Sequence, residues 1–355
     1  MKALPVLFCL ALLGCRGHDS AAARRTVVDS HGRSVAVPDK IRRVACVDVL
    51  CYGAMLTLGE ADKVVSMQVN AARAPWAARV RSQSGIRSME TSPGIEELLR
   101  QKVDVVVGGY GGGSESNAMA AAGIPQLAAQ PVRGKFATAR EFLDGQEAMM
   151  RIYGKLLGPA AARRAEDWCA WLEEKARFVT ARTGQIPSTR LPKAYFVRGP
   201  STLATHGPGG AGYWYCAMAG ADMVVKNRPG IQGRGDLSME EVLRWDPEYV
   251  FIDRQYPSEI VTRDLRWKNV KAVREGKVIL VPAGVFYWDG GPESALLMLF
   301  LAKRLHSDLF PDLDLAAEVK GYYRRFYGVT LSDREASLLL SGLDPQGQRE
   351  NPWKI

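Results

Sequence analysis

Alternating apolar and polar positions run along the chain from residue 26. The segment TVVDSHGRSVAVP alternates on both sides of His31 and Gly32, which predicts a β-hairpin. Beyond it, strand-like runs such as IRRVACVDV, DKVVSMQV and GIPQLAAQ are separated by helical patterns such as LCYGAMLTLG and GIEELLRQ. Strands that alternate with helices over short loops predict a parallel sheet, and we assign residues 26–136 to this N-terminal lobe.

Helical periodicity then replaces the alternation. Residues 137–157 have the pattern of one helix, Gly158-Pro159 breaks it, and residues 160–182 continue without an internal glycine or proline. A helix of this second length spans about 34 Å, which is the width of a domain. Its apolar stripe predicts a core-packing face, and we assign residues 137–188 to a helical region with an interlobe helix.

The strand and helix alternation resumes in LPKAYFV, SMEEVLRWDPEYVFID and GKVILVP, so residues 189–355 form a C-terminal lobe with closing helices. The predicted fold class is α/β: two Rossmann-like lobes with parallel sheets, joined by a single long backbone helix. Ligands of such sheets bind at the carboxyl ends of the strands, which places the cleft between the lobes.

The N-terminus has the pattern of an export signal. Lys2 precedes a short apolar core, and LLGC ending at Cys15 matches a lipobox, the motif that directs lipid attachment to its cysteine. We predict a signal peptide at 1–14, a lipid-anchored tether at 15–25, and a periplasmic, membrane-anchored lipoprotein. The alternative is a plain secretion signal with an incidental cysteine.

Charge and cysteine content narrow the class of partner. The formal net charge is +9 and the pI is about 9.3, with basic residues scattered along the chain. Nucleic acid is a poor partner for an exported protein, whereas an anionic ligand or an anionic membrane surface fits this charge. Cys46, Cys51, Cys169 and Cys216 lack the spacing of a zinc site. Cys46 and Cys51 either pair in an oxidising periplasm or pack as small core residues, and we favour the second.

The stretch VDVVVGGYGGGSE, residues 103–115, ends a strand in a loop nearly free of side chains. It lacks the G-x-G-x-x-G spacing of a dinucleotide site in both registers. Glycines leave amide N–H groups exposed and let a ligand approach the backbone closely, so we predict a cleft loop that offers Tyr110. The alternative is a loop tightened by backbone sterics alone.

Several stretches in order resemble one family. DSHGRSVAVPDKIRRVACVD resembles a family opening of D-x-x-G-R-x-V-x-V-P, LTLGEADKVVSM resembles LG-x-x-D-x-V-V-G, and WKNVKAVREGKV resembles W-x-x-x-x-A-V-x-x-G-x-V. GIEELLRQKVDVVV resembles a further element, although Val103 replaces its usual proline. The chain thus resembles the periplasmic substrate-binding proteins of ABC importers for iron–siderophore complexes, haem and cobalamin.

The resemblance implies a binding protein that is a monomer and that delivers its cargo to an ABC permease and its ATPase. Family members present one glutamate on each lobe to the permease, and the matching positions are Glu96 and Glu240. The alternative for both is an ordinary acidic residue at a helix start, where the helix dipole favours negative charge.

The cleft loops predict the ligand-binding residues. Aromatic rings stack on flat ligands, and arginines pair with carboxylate or oxyanion oxygens, a mixture that suits an anionic metal chelate. The predicted set is Tyr52, Arg73, Trp76, Tyr110, Arg198, His206, Tyr213, Trp214, Arg254, Tyr256, Tyr287 and Trp288. We predict no metal site in the protein itself, with His206 as the candidate ligand if one exists and an ordinary surface histidine as the alternative.

A binding protein explains these features better than an enzyme or a surface adhesin. The sequence lacks G-x-S-x-G, H-E-x-x-H and an intact dinucleotide motif, so we predict no catalytic residues and no cofactor. The expected cargo is an iron–siderophore chelate that brings its own metal. Haem, cobalamin, a nickel chelate, and molybdate or tungstate remain alternatives, because an oxyanion needs only N–H donors and one or two arginines.

Overall fold

The computed structural model describes residues 23–68, 76–89, 94–108, 114–130, 136–228, 230–231, 233–253 and 256–349. The predicted signal peptide and its lipidation site Cys15 lie outside these residues. No helix in these ranges is long and apolar enough to cross a membrane.

The N-terminal lobe begins with the predicted hairpin. Strands β1 (Arg24–Val28) and β2 (Ser34–Pro38) pair antiparallel, and Gly32 takes the left-handed conformation that the turn requires, at φ +76°. A parallel sheet follows in the order β5-β4-β3-β6-β7. Its elements in chain order are β3 (Val44–Cys46), α1 (Val49–Thr57), β4 (Val64–Gln68), α2 (Ala77–Val80), β5 (Arg87–Met89), α3 (Ile95–Arg100), β6 (Val105–Val107), α4 (Ser114–Ala121) and β7 (Gln126–Leu127).

Two helices connect the lobes. Helix α5 (Ala139–Leu157) ends at Gly158, and α6 (Pro159–Thr183) begins with proline in its first turn, as the sequence predicts. Near its start, Arg164 donates to the carbonyl of Thr57 in α1 at 3.0 Å. At its end, the hydroxyl of Thr183 donates to the carbonyl of Met218 in the second lobe at 2.7 Å. Helix α6 therefore bridges both lobes.

The C-terminal lobe holds a second sheet in the order β11-β9-β8-β12-β13, with β10 also paired to β8. Its elements are β8 (Lys193–Val197), β9 (Ala204–His206), α7 (Ala211–Met218), β10 (Asp222–Met223), β11 (Arg234–Asp236), α8 (Met239–Trp245), β12 (Tyr249–Ile252), α9 (Glu259–Thr262), α10 (Lys271–Arg274) and β13 (Val278–Leu280). The closing helices are α11 (Ser294–Leu305), α12 (Leu315–Tyr322) and α13 (Asp333–Leu340).

The α/β prediction is confirmed, with one addition in the second sheet. Strands β8, β10, β12 and β13 are parallel, but β9 turns back antiparallel on β8 and β11 antiparallel on β9. His206, the last residue of β9, pairs with Arg234 of β11.

One hydrophobic core runs through both lobes. It joins residues of the first sheet such as Val44 to residues of the second such as Phe196 by way of α6 and α11. Helix α11 is buried along nearly its whole length, as a central helix of a large core must be. The interpretation of Cys46 and Cys51 as unpaired core residues is wrong, because the two sulfurs form a disulfide between β3 and α1.

Candidate ligand-binding cleft

A cavity of about 240 Å³ lies between the lobes. The first lobe contributes Leu50 at the start of α1 and Gln130 after β7, and α5 contributes Phe142 and Gln146. Phe136, just before α5, lines it as well, and the second lobe supplies the rest of the wall. Leu50 and Gln130 follow β3 and β7, and Arg198 follows β8, so the cavity lies at the carboxyl ends of parallel strands.

His206 is held rigidly in the wall of this cavity. Its ring stacks on Phe196 with centroids 5.7 Å apart and an interplanar angle of 8°. The backbone N–H of Gly212 donates to Nδ1 at 3.2 Å, so the proton of the neutral ring sits on Nε2. A Cβ on Gly212 would lie 2.9 Å from Nδ1, and one on Gly210 would lie 2.7 Å from Cγ. Both glycines thus make room for the ring.

Asp289 orients the polar groups beside His206. Its Oδ2 lies 3.3 Å from Nε of Arg198 and 3.9 Å from Nε2 of His206. The Asp289 side chain is buried, whereas the guanidinium of Arg198 keeps access to the cavity that it lines. Arg234, which stands opposite His206 in the β9–β11 register, adds a second guanidinium to the wall. Arg198 and the imidazole N–H of His206 therefore lie beside one carboxylate, and Arg234 adds further positive charge to the wall.

Backbone donors complete this side of the cavity. Helix α7 begins at Ala211 with Gly210 as its N-cap, and both residues line the cavity together with Gly209. The first N–H groups of a helix lack partners within it and carry its positive dipole end. Here the N–H of Gly210 donates to the carbonyl of Gly207 and that of Gly212 donates to His206, so the helix end favours an anion in the cavity through its dipole.

Apolar side chains form another part of the wall, alongside Gln130 and Gln146. The ring of Phe142 meets that of Phe136 edge to face at 5.5 Å, and Leu50 and Phe286 lie beside them. Such a wall excludes water and strengthens electrostatic attraction to a ligand held by the polar side.

A buried carboxyl group lies directly behind the cavity, at Glu293. Burial raises the pKa of this carboxyl group to about 8. A hydrogen bond from Tyr323 and the backbone N–H groups of Phe286 and Val285 lower the pKa, but burial has the larger effect. A Cβ on Gly284 would lie 2.3 Å from its Oε1, so the loop packs tightly on the carboxyl group. Glu293 is therefore neutral at neutral pH and adds no negative charge next to the cationic wall.

Of the predicted binding residues, Arg198 and His206 line the cavity. Tyr52 and Trp76 instead pack in the core, where both are almost fully buried, and Trp76 donates its N–H to the carbonyl of Leu343 at 3.1 Å. Trp288 is likewise buried and meets Phe300 edge to face. Burial of these large apolar rings stabilises the core more than exposure in a cleft would allow.

The remaining predicted aromatic residues surround the cavity without lining it. Trp214 donates its N–H to the carbonyl of Pro208, and Tyr213 packs against it. Tyr287 stacks edge to face on Phe286, and Tyr256 covers Gly199. Arg73, Tyr110 and Arg254 lie outside the described residues, as does most of the glycine loop, so these predictions stand as made.

Sequence reasoning missed Asp289, Arg234 and Gln146. Asp289 directly follows Tyr287 and Trp288 in sequence, so its position beside two predicted residues was the available signal. Gln146 follows Phe142 by four residues, so a polar side chain on the buried face of α5 was the available signal. Among the described residues, no group of three His, Cys, Asp or Glu side chains is placed to hold a metal ion.

The two predicted docking glutamates occupy equivalent places in the two lobes. Glu96 is exposed in the first turn of α3, and Glu240 is exposed in the first turn of α8. Each is followed by a paired glutamate: Glu97 binds Arg100 at 2.6 Å, and Glu241 binds Arg228 and the N–H of Ser238. No described residue forms an ion pair with Glu96 or Glu240.

Comparisons with known proteins agree with this architecture. A sequence profile of the periplasmic binding protein family matches residues 44–284. The chain is similar to the molybdate-binding protein MolA of Haemophilus influenzae, with 24% identity over 329 residues that cover 87% of this chain and 92% of that protein.

Solved structures give the same fold. MolA bound to molybdate superposes with a TM-score of 0.77 at 24% identity, covering 87% of this chain and 99% of that one. A periplasmic solute-binding protein of Veillonella parvula gives 0.73 at 21% identity, with 90% and 97% covered. Helicobacter pylori CeuE with Ni(II) bound gives 0.68 at 20% identity, with 89% and 99% covered.

Proposed function

Because the chain belongs to the periplasmic binding proteins, and so is the extracytoplasmic solute-binding component of an ABC importer and not an enzyme, we propose that its cargo is a small tetrahedral oxyanion of the molybdate class. The observation that carries this proposal is the pairing of a small cavity with a cationic wall. Arg198, Arg234 and the Nε2–H of His206 converge there with the start of α7.

The size of the cavity favours an oxyanion over the iron–siderophore chelate that the sequence led us to expect. Pockets for drug-sized ligands have volumes of about 300–1,000 Å³. The cavity between the lobes measures about 240 Å³, and Phe142 is one of the residues that line it. A ferric chelate needs more space than this, whereas one tetrahedral anion needs less.

The donor set also matches an oxyanion. Guanidinium groups bind oxyanions through charge-assisted hydrogen bonds, and a helix N-terminus supplies further N–H donors. Asp289 holds Arg198 and faces His206, so it orients these donors before cargo arrives. That one similar protein is named as molybdate-binding supports the same class of cargo.

Isothermal titration of the purified protein with molybdate, tungstate, sulfate, phosphate and a ferric hydroxamate tests this proposal. We expect molybdate and tungstate to bind and Arg198→Gln to weaken them roughly 10- to 100-fold, which is the worth of a hydrogen bond to a charged group. The matched control Arg190→Gln removes an exposed arginine elsewhere and leaves affinity unchanged. Binding of the ferric hydroxamate with no response to either metal oxyanion would overturn the proposal.

Delivery to the permease forms the second part of the proposal. We place docking on Glu96 and Glu240, whose carboxylates form no ion pair with described residues while the neighbouring glutamates pair within the protein. We retain the division at 26–136, 137–188 and 189–355, with a lipid on Cys15 after a signal at 1–14. The monomeric state belongs to the same proposal, because one chain supplies both lobes and the cavity between them.

A further inference from the structure

Two open cavities adjoin on the outer surface of the N-terminal lobe, away from the cleft. The larger measures about 770 Å³ and the smaller about 430 Å³, and Ala61 and Arg81 border both. Together they form one groove, called here the arginine groove. Arg43, Arg81, Arg87 and Arg100 line its larger part, and Arg164, Arg324 and Arg325 line its smaller part with Arg81.

The positive charge of this groove is only partly compensated. Among the described residues that line the groove, Asp62 is the one acidic residue, and it pairs with Arg81. Arg87 and Arg100 share Glu97, and Arg325 pairs with Asp167. Arg43 and Arg164 donate to backbone carbonyls, and neither these two nor Arg324 forms an ion pair with a described residue.

The groove lies on the edge of the first sheet that is opposite the cleft. Arg43 directly precedes β3, Val64 begins β4 and Arg87 begins β5, and all three line the groove. These are the amino ends of parallel strands, whereas the cargo cavity lies at their carboxyl ends. A ligand of the groove therefore leaves the cargo cavity open.

The chain enters the folded part of the protein at the same edge. The carbonyl of Ala23 accepts from the N–H of Asp39 at 2.9 Å, and Arg43 follows four residues later, within about 14 Å along an extended chain. Arg25 donates to the carbonyl of Lys155 at 2.9 Å, and Arg164 lies five residues into the helix that begins at Pro159. Residue 23, the first described residue, thus lies near this edge of the sheet.

We propose that the arginine groove is a membrane-contact surface that binds the phosphate headgroups of anionic phospholipids. A lipid on Cys15 and a tether of roughly ten residues would hold this edge within about 35 Å of a bilayer. One lipid chain alone gives marginal anchoring, and a basic patch supplies the second attachment. The inference rests on the proposed anchor only for the statement that this edge of the protein faces the bilayer. The groove binds the bilayer surface with or without the lipid on Cys15.

Sedimentation with vesicles tests the groove separately from the anchor and from the cargo. The exported chain carries Cys15→Ser so that no lipid is attached, and the vesicles contain phosphatidylcholine with or without phosphatidylglycerol. We expect binding to the anionic vesicles alone, and a loss of roughly 100-fold when Arg43, Arg81 and Arg324 are all changed to glutamine.

The matched control changes Arg190, Arg244 and Arg263 of the second lobe to glutamine, which removes the same charge. An equal loss in both triple variants would mean that net charge alone attracts the chain and would overturn the inference. Equal binding to neutral vesicles would also overturn the inference. Complete displacement of the protein from anionic vesicles by free glycerol phosphate, added at the same total charge as the lipid, would overturn it too, because it would indicate a site for a soluble anion. Circular dichroism and an unchanged affinity for molybdate show that the groove variant is folded.

Discussion

The backbone N–H of Gly212 donates to Nδ1 of His206 at 3.2 Å. This bond fixes the tautomer of the ring, and the stacked Phe196 fixes its plane. A side chain at position 212 is excluded by both rings, since a Cβ there would lie 2.7 Å from Cε1 of Phe196. The orientation of the His206 imidazole therefore depends on Gly212, which has no side chain with which to contact a ligand.

Gly212→Ala is expected to displace His206. The added methyl group must push aside a packed ring, which costs about 1–3 kcal/mol in the free energy of unfolding. Loss of the oriented N–H lowers affinity for molybdate by about 10-fold. Titration calorimetry and urea unfolding measure the two effects.

Gly321→Ala in α12 is the control, because nothing lies within 4 Å of its Cβ position. We expect unchanged affinity and a gain in helix stability of up to about 1 kcal/mol. Equal behaviour of the two alanine variants would contradict the role given to Gly212.

The buried carboxyl of Glu293 predicts a stability that depends on pH. Its pKa rises with burial from an ordinary 4.5 to about 8, so the folded chain holds a proton that the unfolded chain releases. The contribution of this proton is fully present below pH 4.5 and is lost as the pH rises towards about 8. Glu293→Gln keeps the shape of the group and cannot ionise.

Thermal unfolding of Glu293→Gln is therefore expected to show a smaller fall in midpoint between about pH 5 and about pH 9 than the parent shows. The exposed Glu174→Gln serves as control and should follow the parent. Parallel profiles for all three proteins would mean that Glu293 is already ionised in the folded state.

The disulfide between Cys46 and Cys51 predicts a chemical and a thermodynamic result. Alkylation without reductant should leave both residues unmodified in peptide mapping. Cys169 and Cys216 should react only after unfolding, because burial raises the pKa of the Cys169 thiol to about 12 and that of the Cys216 thiol further.

Replacing both paired cysteines by alanine should lower the free energy of unfolding by about 2 kcal/mol, since the loop closed by the disulfide is short. Alkylation of Cys46 in the untreated protein would contradict the pairing.

Local pattern was sufficient to predict the hairpin, the long helices and the central strands of both sheets. Helix α6 was expected at 160–182 and spans Pro159–Thr183, because glycine and proline mark its start and its interior contains neither. Strands β9 and β11 were not predicted, and their antiparallel direction is not predictable from local pattern. Strand direction depends on which neighbour a strand pairs with, and β9 and β11 pair over a separation that local pattern does not encode.

The cavity was predicted in position and less well in composition. Trp76 and Trp288 were predicted in the cleft because aromatic rings stack on flat ligands, but residue type alone does not distinguish a closed core from a cleft. The contact of Arg198 with Asp289 joins residues far apart in sequence, so only the folded chain brings them together. Arg198 lines the cavity because it follows β8 at the edge where ligands of such sheets bind, whereas His206 reaches the cavity from β9.

Docking through Glu96 and Glu240 predicts a loss of transport without a loss of binding. Glu96→Gln with Glu240→Gln removes two exposed carboxylates while retaining the helices that carry them, because Ser238 and Glu241 still form the capping box of α8. Uptake of radiolabelled cargo into cells should fall sharply, and affinity measured by calorimetry should remain that of the parent.

The control for this prediction changes Glu174 and Glu259 to glutamine, which removes the same charge from exposed positions outside α3 and α8. Uptake should be unaffected in that variant. If both double variants lose uptake equally, long-range electrostatic attraction to the permease explains the effect and docking at Glu96 and Glu240 is not needed. If the Glu96 and Glu240 variant loses cargo affinity, these residues act on the cleft, and the equivalent placement of the two glutamates requires a different explanation.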